Sequence, residues 1–188
     1  GQDTVILPGT MLQGKTKVGK NCTLGPDTQL TDVICGDGNH LNRVYAHSCE
    51  LGDNNEIGPF VHLRPETCLH NDIKIGNFVE VKNSDVDDGT KLPHLIYCGD
   101  SDLGKNVNFG CGTVTVNFDG KNKHRCTIDE HAFIGCNTNL VAPVHVGARA
   151  FTAAGSTITK DVPAKALAVG RAKQLNIENW VKEDTYKD

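Results

Sequence analysis

Aliphatic residues, often followed by glycine, recur every six residues over most of the 188-residue chain. The central run of this hexad grid reads Leu51, Ile57, Leu63, Leu69, Ile75 and Val81. The grid continues upstream through Ile6, Leu12, Val18, Leu24 and Leu30, and downstream through Leu103, Phe109, Ile128, Ile134, Leu140, Val146 and Ile158. A short fixed period is typical of one unit stacked many times, and six residues are too few for a pair of helices. We therefore predict an all-β fold, a parallel β-helix built from hexapeptide repeats.

The side chains between the aliphatic positions agree with a narrow prism. Four residues after each aliphatic residue comes a second inward position that is usually small, as at Cys22, Thr67 and Ala150. Three hexads complete one coil, so about ten coils rising about 4.8 Å each predict a prism about 45 to 50 Å long. An antiparallel β-sandwich would show wider strand spacing and alternating polarity, which the hexads disfavour.

Composition excludes several function classes. Aromatic residues make up 5% of the chain, which suits a solenoid core of small aliphatic side chains. No apolar run approaches the length of a membrane span, and the N-terminus does not read as a signal peptide. The eight cysteines form no CxxC pair, so we expect reduced thiols and a cytoplasmic protein. The net charge of −4 offers no broad basic face for a nucleic acid.

The grid is interrupted in three places, between residues 30 and 51, 92 and 103, and 115 and 128. Insertions in a repeat protein leave the scaffold rigid and often carry function. The second interruption contains His94, and the third contains the basic segment 121–125. We expect a modest bulge at the first interruption and functional segments at the other two.

Two cations in the regular part of the grid point to a phosphorylated small ligand. Arg64 and Lys82 each follow an inward aliphatic residue and are separated by three hexads, which is one full coil. Their side chains should stack on the same corner of adjacent coils, within reach of one phosphate. The basic segment 121–125 would add to this site, although charge alone favours a solvated loop.

His94 is the candidate catalytic base. An imidazole titrates near neutrality and can accept a proton from an attacking amine. The chain has seven other histidines with no shared spacing, and His94 differs from them by its place in a grid interruption after Pro93.

Longer motifs extend this interpretation. They are IGPFVHLRP (57–65), KIGNFVEVKNS (74–84), HLIYCGD (94–100), VNFGCGTVTVNFDGKNKH (107–124), FIGCNTNLVAPV (133–144) and AAGSTITKDVP (153–163). They closely resemble the acetyltransferase half of the bifunctional bacterial enzymes that make UDP-N-acetylglucosamine, from about Thr4 to Lys182. The resemblance implies a left-handed β-helix domain over 1–170, a protruding loop over about 116–127 and a C-terminal tail over 171–188 packed near the site. It also implies acetyl transfer from acetyl-CoA to the amine of glucosamine 1-phosphate.

The resemblance assigns roles to individual residues. His94 matches the general base. The positions that match sugar-phosphate contacts are Arg64, Lys82, Tyr97, Asn108 and Lys123. The positions that match the acetyl-CoA groove are Cys111, Asn117, Phe118, Cys136, Ala154 and Arg171. Phe118 stands where tyrosine is common, so a hydroxyl contact is lost there while ring packing can remain. Cys111 and Cys136 stand where other small residues also occur.

We expect direct acyl transfer, in which the amine attacks the thioester, backbone N–H groups near Cys111 stabilise the oxyanion, and no acyl-enzyme forms. This chemistry requires no metal. The resemblance further implies a homotrimer in which the acetyl-CoA groove lies between neighbouring prisms and loop 116–127 reaches a partner. Small molecules, and neither nucleic acid nor membrane, are the expected further partners.

Other functions remain open at the level of sequence. A zinc carbonic anhydrase on this fold would need three meeting histidines, and the eight-residue spacing of His62 and His70 is not a multiple of the hexad. Another hexapeptide acyltransferase, or a non-catalytic hexapeptide scaffold module, would share the grid. No Gly-rich nucleotidyltransferase motif is present, so the sequence leaves open whether the natural protein carries a uridyltransferase half.

Overall fold

The computed structural model describes residues 1–181, and these residues form short β-strands joined by tight turns. None of the described residues forms a helix long and apolar enough to cross a bilayer. The strands are β1 (Val5–Ile6), β2 (Met11–Gln13), β3 (Lys17–Val18), β4 (Thr23–Leu24), β5 (Gln29–Thr31), β6 (Ile34–Cys35), β7 (His40–Leu41), β8 (Val44–His47), β9 (Glu50–Leu51), β10 (Glu56–Ile57), β11 (Val61–Leu63), β12 (Cys68–Leu69), β13 (Lys74–Lys82), β14 (Asp85–Val86), β15 (Lys91–Gly99), β16 (Ser101–Leu103), β17 (Asn108–Phe109), β18 (Val114–Val116), β19 (Cys126–Ile128), β20 (Phe133–Ile134), β21 (Asn139–Val141), β22 (Val144–Val146), β23 (Phe151–Thr152), β24 (Thr157–Ile158) and β25 (Leu167–Ala168).

The strands form three faces of a prism, and every strand pairs in parallel with the strand one coil away. The first face contains β1, β4, β7, β10, β17, β20, β23, β25 and the first halves of β13 and β15. The second face contains β2, β5, β8, β11, β18, β21, β24 and the second halves of β13 and β15. The third face contains β3, β6, β9, β12, β14, β16, β19 and β22. The predicted parallel β-helix of about ten coils is therefore confirmed.

The hexad aliphatic residues form the core. On the first face, Leu24, Leu41, Ile75, Leu92 and Phe109 are each at most 2% exposed. Side chains on a strand alternate between its two sides, so the single inward residue of each short strand stacks on its counterpart one coil away. The core is thus a set of columns along the prism axis. Ile6 and Leu12 of the first coil are more exposed than these, because that coil has a neighbour on one side only.

Coil lengths vary, and this corrects two expectations. The interruption at 92–103 is not an insertion, because β15 continues through it and Lys91 pairs with Lys74 at a spacing one position short of three hexads. The interruption at 30–51 is not a bulge either. His40 pairs with Thr23 at a spacing one position short of three hexads, and Glu56 pairs with His40 at a spacing two positions short. In both places the turns are shorter than in a coil of three full hexads, and the strands stay in register.

The third interruption is an inserted loop. Cys126 pairs with Ser101, and the spacing between them exceeds three hexads by seven positions. The extra residues leave the prism after β18 and return at β19. The loop is partly folded on itself, with an antiparallel bridge between Phe118 and Lys123.

All eight cysteines are free thiols. Cys22, Cys35, Cys49, Cys98 and Cys126 are buried. Burial raises the pKa of Cys35, Cys49 and Cys126 to about 12. These thiols fill the core as small apolar groups.

The last described strand is β25, and residues 171–181 after it are exposed. The boundary at residue 170 and the separate tail stay predictions, and residues 182–188 of that tail lie outside the described residues. The histidines weighed for a zinc anhydrase do not meet, because His62 lies on the second face in β11 and His70 follows β12 on the third face.

Candidate active site

The two stacked cations, Arg64 and Lys82, lie on adjacent coils as expected. The Arg64 backbone N–H donates to the carbonyl of Val81 at 2.8 Å, which places Arg64 next to Lys82. Their side chains have separate partners: Arg64 Nη1 lies 2.8 Å from Glu80 Oε1, and Lys82 Nζ lies 3.7 Å from Asp100 Oδ1. Each cation therefore faces its own carboxylate.

Asp100 is a buried carboxylate between the prism and the inserted loop. Asn83 Nδ2 donates to its Oδ1 at 2.5 Å, and Asn117 Nδ2 donates to its Oδ2. Burial acts to raise the pKa of Asp100, but the two amide donors and the charges of Lys82 and Lys123 outweigh burial, so the pKa lies below its ordinary value. Asp100 therefore carries a negative charge at neutral pH.

Lys123, from the inserted loop, lies next to Lys82. The adjacent Lys82 side chain and its positive charge lower the pKa of Lys123, while Asp100 and Tyr97 act in the opposite direction. Two adjacent ammonium groups repel each other, and an anion placed between them would relieve that repulsion. The pair is thus a ready site for a phosphate group.

Tyr97 completes this group. It lies on β15 in register with Glu80, and its hydroxyl accepts a 3.3 Å hydrogen bond from Asn117 Nδ2. The same Asn117 amide therefore contacts both Tyr97 and Asp100. We name this group the cation site, and its members are Lys82, Tyr97, Asp100, Asn117 and Lys123.

The loop that supplies Lys123 is held by its own hydrogen bonds. Asp119 accepts from the backbone N–H groups of Lys121 at 2.8 Å and Asn122 at 2.6 Å, and lies 2.8 Å from His124 Nε2. The bond from Asn122, then those from His124 and Lys121, lower the pKa of Asp119 to about 2. Arg125 fastens the end of the loop to the prism, donating to Asp102 and to backbone carbonyls of the neighbouring coils.

His94 lies on the corner between the first and second faces, within β15. Its Nδ1 is 2.9 Å from Asn77 Oδ1, one coil below. An amide oxygen can only accept a hydrogen bond, so Nδ1 is the donor in this contact, and in the neutral ring Nε2 is then the nitrogen that can accept a proton. This is the tautomer that a general base requires. His94 and Tyr97 are three residues apart on one strand, about 10 Å at most.

The predicted groove residues continue the corner above His94. The Gly112 N–H donates to the His94 carbonyl, Asn137 N–H donates to Cys111, and Gly155 N–H donates to Cys136, each one coil higher. Next to them, a Cβ on Gly110 would lie 2.5 Å from the Cys136 backbone nitrogen, so this close approach requires glycine. We name the series His94, Cys111, Cys136 and Ala154 the corner column.

Arg171 lies at the end of the corner column, where a Cβ on Gly155 would lie 3.8 Å from its Cδ. Cys136 and Ala154 are exposed along this corner, and Cys111 is half-buried. The column thus forms an accessible strip that runs parallel to the prism axis, starting at His94.

Asn108 and Phe118 do not join either group within this chain, whereas Arg64 lies next to Lys82 and Arg171 lies at the end of the corner column. Asn108 lies on the first face in β17, in register with Lys91 and Phe133. Phe118 is 55% exposed at the loop. The assignment of both to ligand binding stays a prediction.

Sequence reasoning missed Asn77 and Asp100. Asn77 is the register partner of His94 on the preceding coil, so a count of one coil back from the candidate base would have found it. Asp100 resembles the other polar residues at its corner, and no sequence signal marks it as buried.

Known proteins resemble this chain in sequence. No family model matches the chain. The chain is 53% identical over 181 residues to "Bifunctional protein GlmU" of Geobacillus sp. (strain WCH70), which is 96% of this chain and 39% of that protein. It is 55% identical over 183 residues to "Bifunctional protein GlmU" of Caldanaerobacter subterraneus subsp. tengcongensis, which is 97% of this chain and 40% of that protein.

Solved structures resemble the fold. The UDP-N-acetylglucosamine acyltransferase of Arabidopsis superimposes with a TM-score of 0.59 at 16% identity, over 89% of this chain and 70% of that one. The corresponding enzyme of Francisella novicida gives a TM-score of 0.52 at 16% identity, over 90% and 64%. At this identity the likeness shows the fold, and the left-handed parallel β-helix predicted from the sequence is confirmed.

The sequence matches indicate a narrower group of relatives than the likeness in fold does. They are above 50% identity over nearly the whole of this chain, and the chain spans about two fifths of the length of these relatives. Over that length, the chain is similar to the C-terminal part of the GlmU proteins.

Proposed function

We propose that this chain is an N-acetyltransferase that moves an acetyl group from acetyl-CoA to the amine of glucosamine 1-phosphate. The product, N-acetylglucosamine 1-phosphate, would serve UDP-N-acetylglucosamine and cell-wall synthesis in the cytoplasm. The observation that carries the proposal is the placement of His94, with a free Nε2, on the same strand as Tyr97 of the cation site. A sugar phosphate matches this arrangement, because the phosphate and the amine of glucosamine 1-phosphate are on adjacent ring carbons and require an anion site and a base close to each other, as His94 and Tyr97 are on β15.

The phosphate would bind at the cation site. Lys82 and Lys123 present adjacent ammonium groups, and the buried Asp100 holds one of them in place. A phosphate dianion between the two would replace their repulsion with two charge-assisted hydrogen bonds. Arg64, on the neighbouring coil, would exchange its exposed pair with Glu80 for the phosphate or a sugar hydroxyl. Asn108 would complete this site from a neighbouring copy of the chain.

His94 would act as the general base. Its Nε2 accepts the proton that the sugar amine loses as the amine attacks the thioester carbonyl of acetyl-CoA. The backbone N–H of Cys111, directly above, would donate to the oxyanion, and collapse of this intermediate would release coenzyme A as the thiol. An amine is already a good nucleophile, so the proposal includes no acyl-enzyme and no metal.

Acetyl-CoA would lie along the corner column. Its thioester would sit beside His94, and its pantetheine arm would pass Cys136 and Ala154, where small side chains leave the strip open. Asn117, Phe118 and Arg171 would contact the remainder of the cofactor.

We also propose a homotrimer with the active site between copies. Asn108 lies on a different face from the cation site, so one chain alone does not bring all the predicted substrate residues together. Phe60, Phe78 and Leu95 form an exposed apolar stack beside the corner column, each more than half exposed, and the rings of Phe60 and Phe78 are parallel at 5.4 Å. A contiguous apolar surface of this kind is typical of an interface.

The test is sugar-dependent release of thiol from acetyl-CoA, followed spectrophotometrically and corrected for the protein's own cysteines. We expect His94→Asn to lower kcat about 10²-fold or more. The matched control is His131→Asn, which changes an exposed histidine in the left-handed backbone region that asparagine tolerates.

The assay also separates the other candidate functions. Release that needs a different amine or hydroxyl acceptor would indicate another hexapeptide acyltransferase. The absence of release by the wild-type chain, with no acetyl-CoA binding, would indicate a non-catalytic scaffold module. Equal rates for wild type and His94→Asn would show that His94 is not the base.

A further inference from the structure

A cysteine, a histidine and an aspartate meet on the outside of the third face, away from His94. Leu69 points into the core and is 1% exposed, so Cys68 and His70 on either side of it point outward from the same strand edge. Asp85 pairs in register with Cys68 on the next coil. Directly opposite residues of neighbouring strands have side chains about 5 Å apart. The fold therefore fixes three ligand-bearing positions as a small triangle.

The side chains converge within this triangle. His70 Nε2 lies 3.1 Å from Asp85 Oδ1, and Cys68 Sγ, the His70 ring nitrogen and the Asp85 oxygen all lie within 4.8 Å of one another. In tetrahedral zinc, bond lengths of about 2.0 to 2.3 Å separate the ligand atoms by roughly 3.3 to 3.6 Å. The observed triangle is close to that size, and a side-chain movement of about 1 Å at partly exposed groups would close it.

The surroundings favour a cation. Glu50 pairs in register with Cys68 from the coil below, so the thiol lies between two acidic residues on the same face. A second possible donor set shares His70 and adds Asp87 and Asp88, but both of these carboxylates are paired with Lys105, at 4.0 and 2.8 Å. The set with Cys68 has no cationic side chain paired with it among the described residues other than His70 itself.

We propose that Cys68, His70 and Asp85 form a binding site for a divalent transition-metal ion such as zinc. A sulfur, nitrogen and oxygen ligand set suits zinc, which is bound by all three in proteins. The three ligands leave one position for water, and the Cys68 thiol passes its proton to solvent when the ion binds. The site is independent of acetyl transfer, because it lies on the third face whereas His94 lies on the corner between the first two.

The chain contains a matched control. His145 Nε2 lies 2.9 Å from Asp129 Oδ2 on the same outer face, one coil apart, but this pair has no thiol beside it. If a histidine–aspartate pair alone were sufficient to bind the metal ion, replacing His145 and replacing His70 would weaken metal binding equally. If the thiol is the third ligand, only the replacement of His70 will weaken it.

The test is titration of the apo protein with Co²⁺, whose bond to a thiolate gives a charge-transfer absorption band. Cys111→Ala/Cys136→Ala serves as the background in all samples, because it removes the accessible thiols of the corner column. We expect a saturable band at one ion per chain, its loss in Cys68→Ser, and affinities at least about tenfold weaker in His70→Gln and Asp85→Asn. His145→Gln should bind as the background does.

A second measurement needs no variant at the site. Zn²⁺ should slow the alkylation of Cys68 by iodoacetamide, read by mass spectrometry of the Cys68 peptide, and a chelator should restore it. Alkylation that is unchanged by Zn²⁺, a cobalt–thiolate band that survives in Cys68→Ser, or an unchanged Co²⁺ affinity in His70→Gln would overturn the proposal.

Discussion

Replacing Asp100 with asparagine should destabilise the protein strongly, although the two side chains have nearly the same shape. The Asp100 side chain is 4% exposed, and it accepts hydrogen bonds from Asn83 and Asn117 while it pairs with Lys82 at 3.7 Å. In Asp100→Asn the negative charge is lost, and the new NH₂ group cannot accept a hydrogen bond, so one of the two amide donors loses its acceptor. Lys82, whose side chain is 17% exposed, would lose its counter-ion.

The magnitude follows from the burial of this pair. Removing one partner of a buried ion pair costs about 3–5 kcal/mol, because the other charge is left uncompensated. Lys82 keeps some contact with water, so we expect the lower end, about 3 kcal/mol. For a chain of this size that corresponds to a fall in Tm of about 6–12 °C.

The assay is a double-mutant cycle by thermal and denaturant unfolding, with Lys82→Met as the second change. If the cost is an orphaned charge, Lys82→Met/Asp100→Asn should be more stable than the sum of the single changes predicts, with a coupling of at least about 1 kcal/mol. An unfolding free energy of Asp100→Asn within about 0.5 kcal/mol of wild type, or strict additivity, would refute the reasoning.

The contribution of Asp100 to the stability of the folded state should also change with pH in a defined direction. The pKa of Asp100 is lowered in the folded state, so its contribution to stability is present above the ordinary carboxyl pKa of 3.8 and is lost as pH falls through the folded value. The difference in Tm between wild type and Asp100→Asn should therefore be constant from about pH 6 to 8 and shrink below about pH 4.

Three further outcomes follow from the structure. Asn77→Ala removes the acceptor of His94 Nδ1–H, so kcat should fall about tenfold with little change in KM, and a pure rise in KM would contradict the positioning role. Phe109→Ala, at a side chain with 0% exposure, should cost about 3–5 kcal/mol in denaturant unfolding, whereas a loss below about 1 kcal/mol would mean that the coils collapse around the cavity. In native alkylation read by mass spectrometry, Cys136 is exposed and should react first, while Cys126, whose pKa burial raises to about 12, should react only on unfolding. Equal rates at the two thiols would be inconsistent with this packing.

The architecture was predictable because the hexad period specifies it directly. Once a chain repeats every six residues, the inward positions follow by counting, and Leu24, Leu63 and Leu140 are buried as that count requires. Counting hexads could not show which coils have fewer residues than three full hexads. A shortened turn and an insertion both interrupt the grid, and only the insertion at 117–125 leaves the prism. The interruption around His94 therefore looked like an insertion, although it is continuous strand.

For the candidate site, the sequence predicted which residues stack on one another from coil to coil. Residues one coil apart meet, so the closeness of Arg64 and Lys82 followed from their spacing alone. Their side-chain partners did not, because Glu80 and Asp100 draw the two cations in different directions. Contacts between the loop and the prism, such as Lys123 with Lys82, depend on how the inserted loop folds back onto the prism. The six-residue repeat carries no information about that conformation.

Asp100 shows how the insertion turns a structural position into a functional one. Its corner repeats through the prism as Asp32, Ser48, Glu66, Asn83 and Asp100, all with positive φ, a backbone region in which a short polar residue can bond locally. Asp32 and Glu66 are exposed, as a turn residue should be, and Asp100 is buried. The difference is the loop, which places Asn117 over the carboxylate and Lys123 beside its partner Lys82. A turn aspartate at a corner of the repeat thereby becomes a buried charge beside two lysines, so the proposed anion site lies where the regular coil is interrupted.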